Sequence, residues 1–148
     1  MGNFQTKFFS IKNAIYFSIP NSLTIKTYFM TTEQIGRRLK ELCGQGQFEQ
    51  ALTELFSEGA VSIEPRESPD FAKETKGIKA ILEKGKRWNE MVTEQHGFSI
   101  SEPLIADDSF ALTMQIDVTM KGRGRMSHKE LCVYLVSGGK IVSEQFFM

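Results

Sequence analysis

The chain has 148 residues, 41% of them hydrophobic and 24% charged, the make-up of a globular protein with material for one real core. Eighteen basic residues balance eighteen acidic ones, so no single-sign field points to a nucleic acid or an anionic membrane as the main partner. Lys12, Asn13 and Pro20 interrupt the most apolar N-terminal stretch, which falls short of the ~20 apolar residues that a membrane-spanning helix needs.

Residues 1–29 stand apart. They hold Lys7, Lys12 and Lys26, no acid, and many Phe, Ile, Tyr and Ser. They lack the clean apolar centre of a secretory signal and the Arg-rich helix of a mitochondrial presequence. We expect an extension upstream of a natural start at Met30, loosely packed, with a weak targeting peptide as the alternative. The domain proper is then 30–148, with 15 basic and 18 acidic residues and a net charge of −3.

Thr31 and Gln34 have the spacing of a capping box, and Ile35, Leu39, Leu42 and Cys43 recur at helical intervals until Gly44 and Gly46. Phe48, Ala51, Leu52, Leu55 and Phe56 repeat that period up to Ser57-Glu58-Gly59, which predicts a second helix in a hairpin with the first. Ala60 to Glu64 alternates as a strand and stops at Pro65, and a polar loop follows. Thr75 is the expected cap of a third helix with Ile78, Ile81, Leu82, Trp88, Met91 and Val92 as its buried stripe, and Gly85 on that stripe suggests close backbone approach.

From Thr93 the period becomes two, through His96, Phe98 and Ile100 and then through Phe110, Leu112, Met114, Ile116, Val118 and Met120. Gly122-Arg123-Gly124 and Ser137-Gly138-Gly139 turn the chain into strands over 125–136 and 141–148, which predicts an antiparallel meander. Cys43 and Cys132 belong to no ligand-spaced cluster and read as buried thiols in a reducing cytoplasm. With only His96 and His128, and no carboxylate at ligand spacing from either, no metal and no cofactor are expected.

The phrase LFSEGAVSIEP, then TKGIKAI, then SGGKIVSEQFF, in this order and spacing, resembles the SnoaL-like branch of the nuclear transport factor 2-like superfamily. The resemblance implies an α+β domain of cystatin-like cone shape. Three N-terminal helices would pack on a curved antiparallel sheet around an apolar pocket, with homodimerisation through the outer sheet face. The superfamily includes ketosteroid isomerase, polyketide cyclases, dehydratases and non-catalytic binding domains, so function must be argued from the site.

Glu64, directly before Pro65, stands where enzymes resembling ketosteroid isomerase place their general base, and desolvation beside an apolar cavity would raise its pKa. The alternative is a structural carboxylate paired with Arg66 or a lysine. The partners of the isomerase do not carry over: alignment puts Leu39 at its Tyr position and Leu131 at its acid position, which argues against steroid isomerase activity, while a one-residue shift would bring in Glu130. Glu144 is expected to point inward with Val142, Phe146 and Met148 and to serve as a second carboxylate. Leu39, Trp88, Met91, Phe110, Met114, Leu131 and Phe146 are the expected lining of a site for a flat hydrophobic molecule, although core packing explains the same residues. His128, Glu130, Cys132 and Tyr134 share one strand face, expected to be the outer, dimer-forming one. Lys121, Arg123, Arg125 and Lys129 surround a hairpin tip and read as solvated charges.

Three functions fit this reading. The first is a cytoplasmic, cofactor-free binding domain for a small hydrophobic molecule. The second is a cofactor-independent isomerase, cyclase or dehydratase that uses Glu64, and the third is a structural or protein-interaction module.

Overall fold

The computed structural model describes the backbone of residues 10–11, 14–17 and 26–148, so the extension expected over 1–29 lies largely outside the described residues. Within it β1 (Ser10–Ile11), β2 (Ala14–Phe17) and β3 (Lys26–Tyr28) pair as a small antiparallel sheet.

Helix α1 (Thr32–Gly44) starts with both halves of the capping box: Thr31 Oγ1 accepts from the Gln34 N–H, and Gln34 Oε1 accepts from the Thr31 N–H. Its stripe of Ile35, Leu39, Leu42 and Cys43 is buried. Gly36 is on the same helix, and a Cβ there would lie 3.1 Å from Ile105 and 3.3 Å from Phe110. The close approach expected at Gly85 is thus found at Gly36 instead, and nothing lies within 4 Å of a Cβ at Gly85.

Helix α2 (Phe48–Leu55) passes directly into β4 (Phe56–Ile63), so Ser57-Glu58-Gly59 is strand rather than a stop. The strand starts early because Phe56 is buried and pairs with Ile141 of the last strand. β5 (Glu74–Lys76) pairs with β4, and Thr75 lies opposite Ser62 instead of capping a helix. Gly77, at φ 86°, donates its N–H to the Ala60 carbonyl and leads into α3 (Ile78–Met91). Then follow β6 (Val92–Ile100), β7 (Leu104–Ile105), β8 (Ser109–Met120), β9 (Gly124–Ser137) and β10 (Lys140–Phe147).

The strand order is β5-β4-β10-β9-β8-β6, with β7 beside β8. The expected cystatin-like cone is corrected here. The sheet is mixed, since β4 and β10 run parallel; it is open at β5 and β6 and not strongly curled; and α3 enters only after two strands. The parallel pair arises because β4 is joined to the meander through α3 and not through a hairpin.

All three helices contribute to one core against the sheet, with Leu39, Leu42, Leu55 and Ile81 facing Phe110, Leu112, Cys132, Tyr134 and Ile141. The Tyr134 ring stacks on Phe110 with centroids 4.7 Å apart and meets Phe56 edge-on. Register carries one inward row, Ser62–Glu144–Tyr134–Phe110, straight across four strands.

Candidate functional site

Alternation in β4 turns Ala60 and Ser62 into the core and brings Glu64 to the same side at the strand's end. In β10 a bulge between Ile141 and Ser143 resets the alternation, so Ile141 and Glu144 are both buried although three residues apart. Val142, expected inward with Glu144, is displaced from that face by the same bulge. Across these strands lies α3, whose stripe Ile81, Lys84, Trp88, Met91 contains a lysine.

Lys84 is 9% exposed, and its ammonium is held against the sheet. Its Nζ donates to Ser62 Oγ at 2.5 Å and to Glu64 Oε1 at 2.8 Å, and Ser62 Oγ donates to Glu144 Oε1 at 2.6 Å. The ammonium also lies 5.4 Å over the Phe146 ring. Glu64, Lys84, Ser62 and Glu144 therefore form one hydrogen-bonded chain between α3 and the sheet. Burial pushes Glu144 above the ordinary carboxylate value, against the pull of Lys84 and the Ser62 hydroxyl.

The face of β9 that carries His128, Glu130, Cys132 and Tyr134 is the inward one, the reverse of expectation: Cys132 and Tyr134 are fully packed, while Leu131 and Leu135 on the opposite face are 43% and 47% exposed. Glu130, opposite Met114, is pushed up to about 7 by burial first and by the charges of Glu64 and Glu144 next; the Cys132 thiol and Lys84 offset this only in part. His128 Nε2 lies 3.7 Å from Glu130 Oε2, and His128 Nδ1 is buried without a hydrogen-bond partner among the described residues. Burial also raises the Cys43 thiol to about 12, and the Cys132 thiol and Tyr134 phenol are raised as well, so none of these three supplies an anion near neutrality.

Of the expected lining residues, Leu39, Phe110 and Met114 are core, Trp88, Met91 and Phe146 are half-buried, and Leu131 is on the outer face. A surface hollow of about 270 Å³ between the β4–β5 loop and α3 is lined by Pro69, Asp70, Arg87, Glu90 and Met91. Phe71 of that loop packs on Trp88, and Asp70 pairs with Arg123 at the β8–β9 turn. Among the described residues no three His, Cys, Asp or Glu side chains are grouped to hold a metal ion, and no helix is long and apolar enough to cross a membrane.

Sequence reasoning missed Lys84 and Ser62. The signal for Lys84 was present, because it lies three residues after Ile81 and four before Trp88, on the apolar stripe. Ser62 shares the parity of Ala60 and Glu64 but is indistinguishable by sequence from a solvated strand serine.

The SnoaL-like domain profile matches residues 30–148. A structure from Mesorhizobium loti, described as a candidate SnoaL-like polyketide cyclase, is 33% identical over 80% of this chain and 100% of its own, with a TM-score of 0.75. A nuclear transport factor 2-like protein from Burkholderia thailandensis is 18% identical over 80% of this chain and 90% of its own, with a TM-score of 0.69. Bal32a, from a soil-derived mobile gene cassette, is 20% identical over 78% of this chain and 87% of its own, with a TM-score of 0.66. The last two show the fold alone. No curated protein matches in sequence.

Proposed function

This chain belongs to the SnoaL-like domain family, and from that premise we propose that its inward sheet face binds a small, largely apolar molecule carrying a carbonyl or similar polar group. One observation carries the reading: Lys84, Glu64, Glu144 and Glu130 are set against core side chains on a face that packing alone would fill with hydrocarbon. Buried ionisable groups cost stability, and their retention in a cluster is the usual mark of a site. Trp88, Met91 and Phe146 supply the adjoining apolar surface.

The test is a thermal-shift screen of apolar ketones and aldehydes against the wild type and Glu64→Gln. A ligand at a hundred times its Kd is expected to add about 3 kcal/mol of stability, a rise of several degrees in Tm. Absence of any shift across neutral carbonyl compounds, with shifts only for charged ones, would sink the reading.

A second reading, a cofactor-independent isomerase, cyclase or dehydratase, is favoured by Glu130, a carboxyl poised near neutral pH. There Glu130 takes the proton-transferring role first assigned to Glu64, since Glu64 is engaged in an ion pair with Lys84. Glu144 is the second acid of the cluster. The description of the Mesorhizobium loti relative supports this class of chemistry.

We also take the protein to be a cytoplasmic homodimer joined through the outer sheet face. Support comes from Leu131, Leu135 and Phe147, all exposed on one side of β9 and β10, with Leu131 directly opposite Phe147. Leu135→Lys is expected to turn the dimer into a monomer in sedimentation equilibrium, with the far-UV spectrum unchanged. A wild-type chain that sediments as a monomer would rule this interface out.

A further inference from the structure

We infer that Lys84 is a covalent capture site, whose amine forms an imine with the carbonyl of a neutral aldehyde or ketone held on the inward face. This rests on the reading of that face as a ligand site. Imine formation needs an amine stripped of its extra proton, a group to carry protons between nitrogen and oxygen, and an acid to expel water. Glu64 and Ser62 touch this amine, and Glu130 is on the same inward face, within range of its charge.

Glu64 Oε1, 2.8 Å from Nζ, accepts the first ammonium proton. The free amine attacks the carbonyl carbon, a C–N bond forms, and the π electrons move to oxygen. Ser62 Oγ, hydrogen-bonded to Nζ on one side and to Glu144 on the other, passes a second proton from nitrogen to that oxygen. Glu130, in its neutral form, then protonates the hydroxyl, the C–O bond breaks, and water leaves. The products are a protonated imine, one water, a neutral Glu64 and an ionised Glu130, so the ammonium and carbonyl are converted with every proton placed and no oxidant or reductant consumed. Glu130 is half protonated near pH 7, raised by burial and by Glu64 and Glu144 and opposed by Lys84 and Cys132, with His128 3.7 Å away.

The ligand class follows from charge. The inward face already holds three carboxyl groups against one ammonium, and that ammonium is engaged by Ser62 and Glu64. An anion would meet uncompensated carboxylates, whereas a neutral carbonyl compound with an apolar body adds no charge to a desolvated site. Phe146 beneath the ammonium gives that body a surface.

The experiment traps the imine in full-length protein with hydrocinnamaldehyde and sodium cyanoborohydride at pH 7, followed by peptide mass mapping. Lys84 is expected to be alkylated on the order of tenfold faster than exposed Lys79 and Lys86, with a rate that saturates in aldehyde, as binding before reaction requires. Glu64→Gln should slow labelling at Lys84 and leave Lys79 and Lys86 unchanged. Lys84→Arg, which keeps the positive charge but has no primary amine, should lose the saturable label. If the aldehyde binds, as seen by saturable Trp88 quenching, but labelling follows exposure alone, the covalent step is wrong and the ligand site stands. If neither quenching nor Lys84 labelling occurs, both fall.

Discussion

Lys84→Met is expected to lower stability by about 3 kcal/mol at pH 8, because it removes one partner of a largely buried ion pair and leaves the other charged. The side chains of Lys84 and Glu64 are 11% and 25% exposed, so solvent screens the pair only in part. The loss extends beyond Glu64. Ser62 keeps its bond to Glu144 but no longer links that carboxylate to a cation, and Glu144 is already above its ordinary pKa through burial. Without Lys84 the carboxyl should hold its proton to still higher pH. The penalty is therefore expected to shrink between pH 8 and pH 5, as proton uptake replaces the lost cation.

Urea denaturation of wild type, Lys84→Met, Glu64→Gln and the double variant would read this directly, since the cycle isolates the coupling of the two side chains. A coupling near zero with no dependence on pH would mean that the pair behaves as an exposed one. The prediction also separates this lysine from its helix neighbours: Lys86, paired with Glu83 on the solvent side, should be replaceable at little cost.

How much of this was legible before the structure differs by element. The capping box at Thr31, the stripe of α1 and the two glycine turns were written in local chemistry, and they fold as that chemistry dictates. The parallel pairing of β4 with β10 was not, because it depends on α3 crossing the sheet rather than on any turn. The faces of β9 were read backwards for a physical reason. Leu131, Val133 and Leu135 form its more apolar side, and His128, Glu130, Cys132 and Tyr134 its more polar one, so the rule that hydrocarbon faces the core selects the wrong side. The rule fails where a strand turns ionisable groups inward and leaves its leucines uncovered within one chain. In β10 the bulge after Ile141 broke the period-two count, yet Glu144 was still assigned inward correctly. The family resemblance thus pointed to Glu64 and Glu144, the strand pattern put Glu130 on the wrong face, and only tertiary structure brought the three together around Lys84.

Glu130→Gln is expected to change the pH dependence of stability more than any other single substitution on the β9 face. The folded-state value of about 7 lies above the ordinary glutamate value of 4.5, so the unfolded chain releases this proton first as pH rises. The folded state therefore benefits from the neutral carboxyl fully below about pH 4.5, and that benefit fades as pH rises through 7. By pH 8 the wild type should have lost on the order of 3 kcal/mol through this group relative to pH 4.5. Glu54, Glu102 and Asp117 work in the opposite sense, because their ion pairs with Arg38, Lys40 and Arg125 hold them below their ordinary values and favour the folded state at higher pH. Their contribution is common to both proteins and cancels in the difference. Wild type minus Glu130→Gln should accordingly slope downward across pH 5 to 8, with the glutamine variant the more stable protein at pH 8. Parallel stability curves would place the Glu130 carboxyl in the ordinary range and remove the physical basis for a proton-transferring role. A sloping difference would identify the group that holds its proton at neutral pH at the expense of the fold, as expected of a residue retained for chemistry.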